Sequence, residues 1–326
     1  MILHSAASII HTRRNMSELH VIFGTGTLGR WTAEALLSMG KTVRMINRSG
    51  NMEKPPKGVE LIASDAYDTN KNRAVTAGAV AVYQCAQPAY SEWPEKFPPL
   101  QTAILQAASA NDTKLIVGDN LYMYGSFTGS LREDSPIRPH TKKGFVRAAM
   151  AEEIQHAHQA GRVRAAVGRA SNFFGPYDTT MTDYAFMPAV LGKTANLLGN
   201  SNMPHTFTYI QDFGRLMAAL GTHEQALGET WFAPSNPAIT QTEMIQIMET
   251  ELGKPVKSMV AGPMLMRLLG LFDKTIAETV EMMYEWTAPF VIDTQKAQAA
   301  FGLAPTPMRE AIRETIAWCR EQSVRA

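Results

Sequence analysis

Residues 20–48 read HVIFGTGTLGRWTAEALLSMGKTVRMINR, and the period of their apolar pattern changes part-way along. The run Val21–Phe23 ends in Gly24, Gly26 and Gly29, and Trp31, Ala35, Leu36 and Met39 then recur at helical spacing. This predicts a strand, a glycine turn and a helix. Gly40 suits the helix C-terminus. A second β-rich run, Thr42–Ile46, ends on Asn47 and Arg48, where a dinucleotide-binding unit keeps its ribose-reading residue. In such a unit one glycine permits the tight turn, one lets backbone N–H groups approach a pyrophosphate, and one lets helix and strand pack closely. Gly24, Thr25, Gly26, Thr27, Leu28 and Gly29 are thus the expected phosphate cradle.

The end of the second strand bears on the choice of dinucleotide. A carboxylate there would accept hydrogen bonds from an NAD ribose and repel the 2′-phosphate of NADP. Asn47 carries no charge, and the Arg48 guanidinium can bind a phosphate through paired, charge-assisted hydrogen bonds. NADP(H) is the expected cofactor, with NAD as the alternative.

Past a polar, proline-bearing loop, Val59–Ala63 predicts a third strand, and Asp65 just beyond it could meet an adenine amino group. Val80–Cys85 predicts a fourth strand, followed by Ala86 and Gln87 as further cofactor contacts. Leu100–Ala110 has helical spacing, Leu115–Val117 predicts a fifth strand, Val146–Gln159 a helix and Val163–Val167 a sixth strand. This alternation predicts an α/β fold, a Rossmann doubly wound parallel sheet with ligands at the strands' C-terminal ends. Past Gly175 and Pro176 the pattern loosens into proline-marked loops, short strands, and helices at Thr242–Glu251, Thr275–Trp286 and Met308–Glu321. The expected division is a disordered N-terminal extension over 1–15 and a dinucleotide-binding Rossmann domain over 16–175. Residues 176–326 form a smaller mixed C-terminal substrate-binding part, some segments of which return to the sheet.

Apolar residues make up 45% of the 326 and charged residues 19%, which fits a globular enzyme better than a disordered or nucleic-acid-binding chain. A net charge of +1 gives no argument for steering onto nucleic acid or an anionic membrane, so a small-molecule substrate is the expected partner. Cys85 and Cys319 offer neither a disulfide framework nor metal-ligand spacing, so no metal is expected and a reducing, cytoplasmic setting is. The richest apolar run, Met264–Phe272, is broken by Arg267 and falls short of spanning length. Residues 1–15 lack acids and carry Arg13 and Arg14 after their apolar part, the reverse of a secretory signal; Met16 would serve equally as a start.

Four further segments carry a resemblance to a known family. KLIVGDNLYMYG at 114–125 resembles the strand and Tyr-Gly turn of the extended short-chain dehydrogenase/reductase superfamily, in its NAD-dependent epimerase/dehydratase group. RASNFFGP at 169–176 is similar to its Arg-Pro-x-Asn-x-x-Gly-Pro segment. HTFTYIQDFGR at 205–215 is similar to its second-half motif ending in an aspartate, here Asp212. PFVIDTQKAQAAFGLAPTP at 289–307 resembles its C-terminal Asp…Lys…Leu-Gly…Pro run. The resemblance covers Ser17–Arg320. It implies the dinucleotide-binding fold, a homodimer, and a serine, tyrosine and lysine that move a proton while the nicotinamide carries hydride.

The chain departs from that pattern at the reacting end. The family's first glycine falls on Phe23, its serine falls on Asn120, and its Tyr-x-x-x-Lys is missing. An amide can still donate to a substrate carbonyl. In TKKGFVRAAMAEE at 141–153, counting puts the tyrosine at Gly144 or Phe145 and the lysine at Ala148 or Ala149. Lys143 and Arg147 keep the i, i+4 spacing, so Lys143, discharged beside a second cation, could replace the tyrosine and Arg147 the lysine. The plainer alternative is a solvated basic helix start. Tyr122 and Tyr124 are alternative proton donors, and Tyr124 also matches the family's turn tyrosine. The diphosphate-gripping arginine of nucleotide-sugar enzymes is replaced by His205, which at an ordinary pKa of ~6.5 is mostly neutral at pH 7. Asn172 matches the family's substrate-side asparagine. Met264, Met266, Met282 and Met283 form either an adaptable substrate wall or plain core.

The expected function is that of an atypical extended short-chain dehydrogenase/reductase binding NADP(H). It would reduce or oxidise a small, largely apolar carbonyl or hydroxyl compound, with Asn120 polarising the oxygen and Lys143 or a tyrosine moving the proton. The alternatives are a non-catalytic NADP(H) sensor that acts on a protein partner, and an epimerase or dehydratase that recycles its cofactor.

Overall fold

Seven strands, β1 (Leu19–Phe23), β2 (Thr42–Asn47), β3 (Glu60–Ala63), β4 (Ala81–Gln84), β5 (Lys114–Asp119), β6 (Arg164–Arg169) and β7 (Thr230–Phe232), form one parallel sheet. Their order across it is β7-β6-β5-β4-β1-β2-β3. The order reverses between β1 and β4, which leaves a crevice beyond the C-terminal ends of that pair. The computed structural model describes residues 18–324, so the expectations for 1–15 and Met16 lie outside the described residues.

Both sheet faces are covered, which is why strand residues are buried without alternation. Ile22, Val43, Met45 and Tyr83 pack with α1 (Thr27–Ser38) on one face. On the other, past α2 (Thr69–Val75), Val21, Phe23 and Val82 pack under α3 (Trp93–Ala110) and α4 (Lys142–Gln159). The chain leaves the sheet after β6 and comes back through α5 (Ile210–Thr222), which lies beside α1, and then through β7. A second lobe gathers Phe174, Phe186, Phe207, Met244, Met266, Met283, Trp286 and Ile312 into its own core. Its helices include α6 (Gln241–Leu252), α7 (Pro263–Leu269), α8 (Lys274–Val280) and α9 (Met308–Ser323).

Three expectations are corrected. α3 starts at Trp93, not Leu100, and carries Pro98 and Pro99 inside it. Burial of Trp93, Phe97, Leu100 and Ile104 on the sheet outweighs the lost backbone bonds. The helix predicted over Thr275–Trp286 is broken into α8 and a short turn, Tyr284–Thr287, with Glu281 between them drawn toward α4. Of the four methionines read together, Met266, Met282 and Met283 are buried whereas Met264 is 85% exposed.

Candidate functional site

β1 runs into Gly24 (φ +106°), whose backbone passes so close to the end of β4 that a Cβ would lie 2.6 Å from the Ala86 nitrogen. A Cβ on Gly29 would lie 2.1 Å from the Gly24 carbonyl oxygen, whereas one on Gly26 would meet nothing within 4 Å. Gly26 is also the N-cap of α1, and no side chain among the described residues caps that helix. The first-turn N–H groups therefore stay available at the positive end of the helix dipole, beside open space, which suits a pyrophosphate.

The rest of the cradle is tied into its walls. Thr27 Oγ1 donates to the Tyr177 carbonyl at 2.7 Å, and Leu28 packs over Gly118. Asn47 is occupied locally. Its Nδ2 donates to Thr25 Oγ1 at 2.9 Å and to the Asn51 carbonyl at 2.7 Å, and its Oδ1 accepts from the Gly50 N–H at 2.6 Å. It braces the loop after β2 instead of presenting a free amide. Arg48 is exposed and makes no ion pair or hydrogen bond among the described residues. Asp65, also exposed, accepts from the Tyr67 N–H at 3.1 Å, and Gln87 is exposed beside Ala86.

The candidate reacting residues lie where β5 stops and α4 starts. Asn120 Oδ1 accepts from the Tyr122 N–H at 3.2 Å, and its Nδ2 has no partner among the described residues. Tyr90 donates to the half-buried Tyr122 hydroxyl at 3.3 Å, so the Tyr122 hydrogen is not committed there. Thr141 caps α4 by accepting from the Gly144 N–H at 3.0 Å, which sets Lys143 in the first turn and Arg147 one turn on. Both are buried, and each is matched with acids. Lys143 Nζ donates to the carboxylate of Glu278, to that residue's carbonyl at 3.1 Å and to the Glu281 carboxylate at 2.9 Å. Arg147 lies against the Trp93 and Phe97 rings, at 4.6 and 4.2 Å, with Nη1 3.3 Å from Asp119 Oδ1. The expected lysine activated by a second cation is thus not what forms: two carboxylates hold Lys143, because burial requires each charge to find a counter-charge.

Two other candidates sit in structural positions. The Tyr124 hydroxyl donates to the Glu133 carbonyl at 3.1 Å and accepts from Arg169 Nη1 at 2.6 Å, so it fixes the turn after β5. His205 is 3% exposed and stacked on Trp286, with centroids 4.6 Å apart and planes 7° apart. Burial pushes its pKa down to about 3. It is a neutral core group with no way to grip an anion.

Asn172 does reach the polar cluster: its Nδ2 donates to Glu285 Oε2 at 3.2 Å. Glu285 is 2% exposed, and burial pushes its carboxyl up to about 8. Burial pushes the Tyr122 and Tyr284 hydroxyls up, and Glu285 adds to this when ionised; the buried Tyr284 hydroxyl has no partner among the described residues. Sequence reading missed Glu285. The available signal was its isolation as the one charged residue between Met282 and Ile292.

A model of the NAD dependent epimerase/dehydratase family matches residues 21–231. Among curated proteins the chain is 21% identical over 320 residues to the uncharacterized protein y4nL of Sinorhizobium fredii, covering 89% of this chain and 86% of that one. It is 23% identical over 222 residues to the Arabidopsis thaliana 3beta-hydroxysteroid-dehydrogenase/decarboxylase isoform 2, covering 60% of this chain and 38% of that one. Among solved structures, the UDP-glucuronic acid 4-epimerase of Bacillus cereus, in complex with UDP-glucuronic acid and NAD, superposes with a TM-score of 0.75 at 17% identity, over 93% of this chain and 99% of that one. The dTDP-glucose 4,6-dehydratase of Bacillus anthracis, in complex with NAD, gives 0.77 at 15% identity, over 94% and 98%.

Proposed function

Because the chain belongs to the NAD-dependent epimerase/dehydratase family, we propose that it is an NAD(P)-dependent enzyme that prefers NADP(H) and reduces or oxidises a small, largely apolar carbonyl or hydroxyl compound. The observation that carries this reading is the coexistence of an open glycine cradle at Gly26 with two uncommitted donors, Asn120 Nδ2 and the Tyr122 hydroxyl, at the end of β5. A bound nicotinamide would supply or accept hydride. In the reducing direction Asn120 holds the substrate oxygen and Tyr122 passes it a proton. Arg48, exposed and unpaired, supports NADP(H) over NAD. The core position of His205 speaks against a nucleotide-sugar diphosphate, the substrate class of the solved relatives named above.

A second reading is an NADP(H) sensor, favoured by one specific observation: every N–H of the Lys143 ammonium is already taken by Glu278 and Glu281. The test is NADPH consumption over a panel of apolar aldehydes and ketones. Turnover is expected, and the triple variant Asn120→Ala, Tyr122→Phe, Lys143→Met is expected to lose about 10²–10⁴-fold. Turnover untouched by that variant would sink the proposal. Tight NADPH binding without consumption would favour the sensor, and copurified cofactor without net oxidation would favour epimerase or dehydratase chemistry.

A further inference from the structure

The apolar run Met264–Phe272 forms α7 and the turn after it, and this helix is apolar on two sides. One side is anchored: Met266 is buried in the core of the second lobe, and Leu265 packs against it. The other side faces out. Met264, Leu268, Leu271 and Phe272, at i, i+4, i+7 and i+8, are 85%, 55%, 77% and 86% exposed. Helical bonds from the Leu271 and Phe272 N–H groups to the Leu268 and Leu269 carbonyls carry this face past the end of α7. Met259 and Val260, on the strand just before the helix, extend the exposed apolar surface. Large exposed apolar patches mark a docking surface.

The charges around the patch indicate what covers it. Residues 254–274 hold Lys254, Lys257, Arg267 and Lys274 against a single acid, Asp273, which is four positive and one negative, a net +3 where the whole chain carries +1. Lys257, Arg267 and Lys274 are exposed and form no ion pair among the described residues. A two-fold interface between copies would bring two stretches of net +3 onto one face. Flexible aliphatic side chains with a cationic rim are instead the composition of a surface that dips into a bilayer boundary, and each Lys or Arg near an anionic leaflet strengthens binding several-fold. Among the described residues no helix is long and apolar enough to cross a membrane, so the contact would be peripheral.

We propose that the outward face of residues 259–274 is an interfacial docking surface for an anionic lipid bilayer. This inference is independent of the reaction assigned above. The test is co-sedimentation of the full chain with vesicles of phosphatidylcholine alone, or of phosphatidylcholine mixed equally with phosphatidylglycerol. The variants are Leu268→Glu/Phe272→Glu and Arg267→Glu/Lys274→Glu, all at exposed positions. The parent is expected to bind the mixed vesicles and hardly the neutral ones, and each double variant to lose at least tenfold, worth about 1.4 kcal/mol. Three results overturn the proposal: binding unchanged in either variant, no binding by a monomeric chain, or no binding by a chain that dimerises through this face, with the dimer lost in Leu268→Glu/Phe272→Glu.

Discussion

Replacing Asp119 with alanine is expected to destabilise the fold by about 3–5 kcal/mol, the cost of leaving a buried charge without its partner. Asp119 ends β5, is 8% exposed, and is the carboxylate for two buried guanidiniums at once: Arg169 Nε at 3.0 Å and Arg147 Nη1 at 3.3 Å. It also accepts the Asn120 N–H at 2.8 Å, so it aims the residue proposed to hold the substrate oxygen. Removing it leaves Arg147 and Arg169 without their shared counter-charge and loosens the turn that carries Asn120 and Tyr122. Denaturant unfolding of parent and variant measures the loss directly. A change below about 1 kcal/mol would mean that water reaches the arginines and the cluster is not the closed one described.

Glu285→Gln is expected to make the protein more stable at alkaline pH. Burial holds this carboxyl at about 8 against an ordinary 4.5, so between those values the folded chain keeps a proton that the unfolded chain releases. The associated stability is fully present below about pH 4.5 and is lost as pH rises through about 8. About 3.5 units at ~1.36 kcal/mol each set a ceiling of about 5 kcal/mol. Glutamine has no proton to lose, and its amide oxygen can still accept from Asn172. Below about pH 6.5 the buried His20 and His205, held down to about 4 and about 3, act in the opposite sense, destabilising the fold as pH falls. The difference between variant and parent isolates Glu285: it is expected to be small near pH 5 and several kcal/mol in the variant's favour near pH 8.5. Parallel pH profiles would show that Glu285 ionises freely.

The first strand, glycine turn, helix and second strand were legible because local pattern and tertiary demand agree there: the same glycines satisfy the turn, the packing and the anion. α3 was only half legible, since Pro98 and Pro99 speak against a helix that Trp93 and Phe97 secure by packing on the sheet. At the candidate site, the resemblance pointed to Asn120 and the i, i+4 spacing to Lys143 and Arg147, and one strand end and one helix start carry all three. The acids that hold Lys143 could not be read that way. Glu278 and Glu281 lie more than 130 residues further on, in a segment whose helical pattern gave no sign of the break at Glu281. Asn47 shows the converse: its place at the strand end was read correctly, but its side-chain bonds to the loop depend on contacts that spacing does not encode. The run Met264–Phe272 was legible in sequence only as an apolar stretch too short to span a membrane, and the folded chain shows which of its sides is exposed.

The proposed cofactor preference rests on the Gly24–Gly29 cradle and Arg48 selecting NADP(H). Titrating the purified chain with NADPH and with NADH, followed by nicotinamide fluorescence and repeated on Arg48→Ala, tests it most directly. The account predicts NADPH binding at least about tenfold tighter than NADH, with that preference removed by the substitution, a difference of about 1.4 kcal/mol or more. Equal affinities, or a preference that survives in Arg48→Ala, would contradict the cofactor assignment, and binding of neither dinucleotide would contradict the cradle itself.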